Sequence, residues 1–134
     1  MLDEVVRNIV EALRSACRVF NEGLYPLAIS NAYFASKAAV ILLCDYAFKR
    51  NLIGKPPMSH RGRQYALTLL CSMGLVSRSV VEAYSEIQGL RSKGVYAFRN
   101  GENARRAIQL SCRLVKEVFG VLGVRVDVEE CKRI

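Results

Sequence analysis

The chain has 134 residues, 51% of them apolar, and 20 lysines and arginines against 12 aspartates and glutamates leave a net charge of +8. That length and composition make one domain able to bury roughly two thirds of its unfolded surface, which excludes global disorder. The excess of base points to an anionic partner, most commonly nucleic acid, although plain solubility accounts for it equally well.

The first helix is expected over Asp3–Glu22. Asp3 and Glu4 sit where the helix dipole favours acids, and Val6, Ile9, Val10, Leu13, Cys17 and Phe20 repeat at helical spacing. Gly23 ends it, and Pro26 opens the next helix, which runs to about Arg50. That second helix is apolar nearly all round. Ala28, Ala32, Ala35 and Ala39 form a narrow stripe that lets another helix come close, and a thin polar line of Ser30, Lys37 and Asp45 lies opposite. Such a helix is the centre of a bundle, or is covered by a second subunit, or both. Lys37 and Asp45 bracket its longest apolar run, so a soluble bundle helix is expected rather than a membrane span.

Gly54, Pro56 and Pro57 make a loop. Ser59 can then cap a third helix to Met73, stopped by Gly74, and Ser77 can cap a fourth with Val80, Val81, Tyr84, Ile87 and Leu90 inward. After a break at Gly89–Ala104, Asn100 or Asn103 can cap a fifth, whose apolar stripe runs from Ala104 to Leu122. Val124, Val126 and Val128 then alternate with charges, like a strand without a partner. The expected fold is all-α, an antiparallel bundle of four to five helices over 1–123, with an extended tail over 124–134 that docks on the body or on a second copy.

The five cysteines are widely spaced, odd in number and never form CxxC. They read as free thiols in a reducing, cytoplasmic compartment, with no disulfide framework and no zinc site. The acidic start MLDEVV argues against a signal peptide. His60 is the single histidine, no serine lies in a GxSxG context, and no P-loop or GxGxxG turn is present. No cofactor and no metal are expected.

What remains is base and aromatic. No acidic residue stands between Asp45 and Glu82, while Lys49, Arg50, Lys55, Arg61, Arg63 and Arg78 do, and arginine outnumbers lysine fourteen to six. SHRGRQY places His60, Arg61 and Arg63 at a helix N-terminus, where backbone N–H groups favour an anion. RSKGVYAFRNG places Arg91, Lys93 and Arg99 around Tyr96 and Phe98, a composition suited to holding bases and phosphates. Each has a plainer reading. The first is a capped helix start with a solvated basic turn; in the second Arg91 meets a helix-end carboxylate or carbonyl and Tyr96 fills the gap between two helices.

The succession of YPLAISNAYFASKAAVILL (25–43), SHRG opening a helix after a Gly/Pro loop, RSKGVY, and ENARRAIQLSCRLVKEVFGVL as the last helix resembles the prokaryotic HEPN domain family over roughly residues 3–122. The resemblance implies a helical bundle, usually a homodimer, often paired with a minimal nucleotidyltransferase in toxin–antitoxin systems. One branch of the family cuts RNA without metal, using an arginine followed four to six residues later by a histidine. Arg91 matches the arginine, but no histidine follows it, and Tyr96 stands where the shortest gap would place one. Where a related branch has Ala-Asp-Tyr, this chain has Gly94-Val95-Tyr96. A tyrosine with a pKa near 10 is a poor base at neutral pH. The expected function is therefore a non-catalytic dimer that binds RNA or a nucleotide, or pairs with a nucleotidyltransferase, without contact to a membrane. The alternatives are an interaction module with a basic face, and a metal-independent ribonuclease using Arg91 with Tyr96 or with His60 from elsewhere in the fold.

Overall fold

The amphipathic stretches all form helices, and the described residues contain no strand. The computed structural model describes residues 2–94 and 101–134, with residues 93 and 94 described by backbone only. The helices are α1 (Leu2–Asn21), α2 (Tyr25–Lys49), α3 (His60–Ser72), α4 (Arg78–Gly94) and α5 (Gly101–Leu122), followed by a 3-10 helix at Glu129–Arg133.

α2 is the centre of the bundle and packs against α1, α3, α4 and α5. Its four stripe alanines are fully buried. The contact with α5 is tied by hydroxyls. Ser111 Oγ donates to the Ala32 carbonyl at 2.8 Å and accepts from Ser36 Oγ at 2.7 Å, so both buried serines are satisfied. By length and composition alone α2 is apolar enough to cross a membrane, and its most apolar window is 56% buried inside the bundle. The large side chains that fill the core include Ile9, Leu13, Leu43, Leu67, Ile87 and Leu114. Each stabilises the fold by about 1.5–3 kcal/mol on burial.

Four helices stop in the same way. At the ends of α1, α2, α3 and α5, residues Gly23, Asn51, Gly74 and Gly123 take positive φ of 79°, 60°, 80° and 74°. The next residue's N–H then reaches back to a carbonyl five positions earlier, as from Leu24 to Val19 at 2.9 Å. This satisfies carbonyls that a helix end leaves orphaned. At the start of α5, Gly101 lets the Tyr25 ring close in, since a Cβ there would stand 3.1 Å from Tyr25 Cζ.

Several expectations need correction. α4 does not stop at Leu90 but runs four residues further, so Arg91 lies on the helix rather than in a loop. Ser77 precedes α4, yet its hydroxyl donates to Glu117 Oε1 on α5 at 2.7 Å, while its backbone N–H donates to Oε2. Asn103 lies within the first turn of α5 and does not cap it, and Asn100 lies outside the described residues.

The tail is not extended throughout. After 124–128 it turns into the 3-10 helix, which packs on α1 and α5, and Val128 is buried. The expectation of five free thiols also fails, because Cys112 on α5 is bonded to Cys131 in the tail. The pairing removes the ground for reading a reducing compartment from cysteine usage. Arg14 meets Glu130 at 3.5 Å, and Gln109 Nε2 donates to the Ile134 carbonyl, so the same docking is also held by polar contacts. Cys17 and Cys44 do remain free and buried, and burial pushes the Cys44 thiol up to about 11.

Closing a loop with a sequence separation of 19 restricts the unfolded chain. Cys131→Ser is expected to lower the unfolding free energy by about 3 kcal/mol, read by urea unfolding with and without reductant. Trypsin should then cut the tail of the folded variant after Arg125. An unchanged midpoint together with five titratable thiols in protein purified without reductant would show that the pair does not form.

Candidate anion-binding site

The start of α3 is tightly specified. Ser59 Oγ accepts from the Gly62 N–H at 3.0 Å, which caps the helix as its sequence position suggests. Pro57 packs against the same turn. A Cβ on Gly62 would lie 2.9 Å from Pro57 Cβ, which explains the glycine of SHRG. With the first turn fixed, His60 and Arg63 fall three residues apart on one face, the face that Ala66, Leu67 and Leu70 continue into the core.

Arg63 is buried, only 5% exposed, and its Nε donates to Tyr84 Oη on α4 at 2.9 Å. His60 lies flat against Tyr84, ring centroids 4.5 Å apart, and its Nδ1 is 3.2 Å from Tyr33 Oη on α2. Tyr33 and Tyr84 are themselves nearly parallel at 6.2 Å. One face of α4 carries both Tyr84 and, two turns on, Arg91, whose guanidinium sits 4.6 Å over the Tyr33 ring. The site thus joins three helices: His60 and Arg63 from α3, Tyr33 from α2, Tyr84 and Arg91 from α4.

Its electrostatics are one-sided. Burial lowers the His60 pKa from the usual 6.5, and the positive charges of Arg63 and Arg91 lower it further, so the imidazole is neutral at pH 7. Burial pushes the Tyr84 hydroxyl up to about 12, against the Arg63 hydrogen bond, which acts in the opposite direction. Tyr84 therefore stays protonated. Ion pairs elsewhere join Arg106 to Glu86, Arg105 to Glu102, Arg14 to Glu130, and Lys132 to Asp127 and Glu129. Among the described residues, which include all twelve carboxylate side chains, none pairs with Arg61, Arg63 or Arg91. If Tyr33 donates to Nδ1, Nε2 carries the proton, and His60 and Arg91 both present N–H donors. Such a group of donors without a carboxylate suits an anion.

Of the residues singled out in the sequence, Arg91, His60 and Arg63 come together here, and Arg61 is exposed on the first turn of α3. The Lys93 side chain, Tyr96 and Arg99 lie outside the described residues. Arg63 is not basic surface but a buried scaffold cation. Tyr33 and Tyr84 are the residues that pattern reading passes over. Both sit on apolar stripes, and the signal for them is that a buried tyrosine hydroxyl needs a partner. No three His, Cys, Asp or Glu side chains among the described residues are grouped to hold a metal ion.

Comparison of the chain with models of known protein families, with curated proteins and with solved structures finds no match.

Since His60 is the single histidine, proton NMR reads it without ambiguity. It should titrate below 6.5, and Arg91→Ala should raise its pKa by removing a nearby positive charge. The sign for stability follows. A depressed native pKa means the unfolded chain takes the proton first, so the contribution is complete above about 6.5 and is lost as pH falls through the native value. Tyr84→Phe leaves the buried Arg63 Nε without its acceptor and should cost about 1.5–3 kcal/mol in urea unfolding.

Proposed function

We propose that the protein is a HEPN-type helical domain that binds the phosphate groups of RNA or a nucleotide. Arg91 and His60 are the groups that meet the phosphate, and Arg61 stands beside them. The observation that carries this reading is the meeting of Arg91 and His60 from different helices with no carboxylate paired to either arginine neighbour. Arg63 adds positive potential from within, and the Tyr33 ring holds the Arg91 guanidinium in place. The order of the motifs in the sequence supports the HEPN-type assignment. That assignment brings with it a minimal nucleotidyltransferase as candidate partner and a cytoplasmic setting.

A second reading has an observation of its own. The ribonuclease branch of that family pairs an arginine with a histidine four to six residues later. Here the histidine absent after Arg91 is replaced in space by His60 from α3, neutral at pH 7 and held by Tyr33. In the tautomer whose Nδ1–H donates to Tyr33 Oη, the Nε2 lone pair is free to accept the proton of a ribose 2′-hydroxyl as that oxygen attacks the neighbouring phosphorus. The bond from phosphorus to the 5′-oxygen then breaks, and the departing oxygen takes a proton from water.

Binding of labelled single-stranded RNA and of ATP, measured at several salt concentrations, tests the first reading. Affinity should fall steeply as salt rises. Arg91→Ala should weaken binding by about ten- to a hundredfold, the loss of a charge-assisted hydrogen bond of about 1.5–3 kcal/mol. Absence of binding to both ligands at low salt ends that reading. Incubating RNA with the protein in chelator separates the second: cleavage that disappears in His60→Ala supports it, and intact RNA excludes it.

A further inference from the structure

Of the tyrosines among the described residues, all but one have their rings engaged within the fold. Tyr25 meets Phe20, Tyr33 and Tyr84 stack with each other and with His60, and Tyr46 lies under the Arg50 guanidinium. Tyr65 on α3 is the exception. It is 66% exposed, and its side chain makes no ring, cation–π or hydrogen-bond contact with another described residue.

A single exposed apolar side chain is ordinary, so exposure alone decides nothing. The surroundings of this one do. Arg63, Ala66, Leu67 and Leu70 set the buried side of α3. At about 100° per residue, Arg61 and Tyr65 fall together on the opposite side, one turn apart, with Cβ atoms about 5–6 Å from each other. Both are exposed, α3 contains no acidic residue, and no ion pair engages Arg61. Arg61 also directly follows His60 in the first turn. An open ring therefore stands one turn from an unpaired guanidinium at the edge of the candidate anion site. A cation for the phosphate with an aromatic face beside it for the base is how proteins hold single-stranded nucleic acid.

We propose that Tyr65 is the base-stacking platform of this site, so that its ligand is a nucleotide with an unpaired base, as in single-stranded RNA. A phosphate at the start of α3 meets Arg61 on the outer side and His60 and Arg91 on the inner side. The attached ribose then lays its base along α3 against the Tyr65 ring. Stacking adds affinity without choosing among bases, because every base has a π face. A duplex offers no such face, since neighbouring base pairs cover it. The inference rests on the phosphate-binding reading and adds to it the requirement for a base.

The test compares three probes at low salt: single-stranded RNA, the RNA duplex of the same sequence, and inorganic polyphosphate. Tyr65→Leu should weaken single-stranded RNA about five- to a hundredfold, the loss of one stacked base. It should leave duplex and polyphosphate binding unchanged, and the helical circular dichroism too, because the side chain is already exposed. Tyr65→Phe keeps the ring and should bind as wild type does. In wild-type protein the Tyr65 ring protons should move upfield when single-stranded RNA is added and stay in place with polyphosphate. If neither RNA nor polyphosphate binds, the phosphate reading falls and this inference with it. If both bind and Tyr65→Leu weakens neither, the phosphate reading stands and the platform alone is overturned. Equal losses in Tyr65→Phe and Tyr65→Leu also overturn it, since they would assign the contact to the hydroxyl.

Discussion

The contact between α2 and α5 sets the geometry of everything else. Small side chains let a helix pack tightly on its neighbours, and the fully buried Ala28, Ala32, Ala35 and Ala39 provide them on α2. The serine pair Ser36–Ser111 then supplies direction, because Ser111 on α5 reaches both the Ala32 carbonyl and the Ser36 hydroxyl only in one register. A pure alanine contact would leave rotation and sliding of α2 less determined. Tyr33 follows Ala32 directly, so the register of that contact also decides where the Tyr33 ring stands and what it can hold.

From that anchor the site is built by a chain of aromatic and cationic contacts rather than by ion pairs. Tyr33 carries Arg91 on its face and His60 at its hydroxyl, Tyr84 backs His60, and Arg63 anchors Tyr84 from inside. A buried guanidinium is tolerated when its donors are occupied, and phenol oxygens occupy them without cancelling the charge. The positive field is thereby kept instead of being neutralised by a carboxylate. The same field holds the histidine neutral, so that an incoming phosphate would meet an imidazole whose proton affinity rises as the anion settles.

The helices were legible because their signals are local. Gly23, Pro26, Ser59 and Gly74 act within one turn, and the stripes of α1 and α5 have an unmistakable period. The end of α4 was less so, since Arg91-Ser92-Lys93 lacks apolar residues although the helix continues through it. Asn51 also ends a helix as a glycine does, a role its type permits but does not announce. In the site, Arg91 and His60 were visible as residue types, but their meeting was not. It depends on α3 and α4 packing against the same stretch of α2, and no spacing in the sequence encodes that. Tyr33 and Tyr84 were hidden by serving the core as well. The Cys112–Cys131 pair was hidden because the tail's return along α5 is a tertiary event, driven by Val128 and the ion pair at Arg14.

The disulfide has a practical consequence. With Cys112 and Cys131 joined, and Cys17 and Cys44 buried, Cys71 near the C-terminal end of α3 is the one thiol a solvent-borne reagent can reach. The oxidised protein therefore carries a single natural attachment point for a fluorophore or spin label. It lies three turns along the helix whose first residue is His60, so a probe placed there reports on α3 without any engineered cysteine.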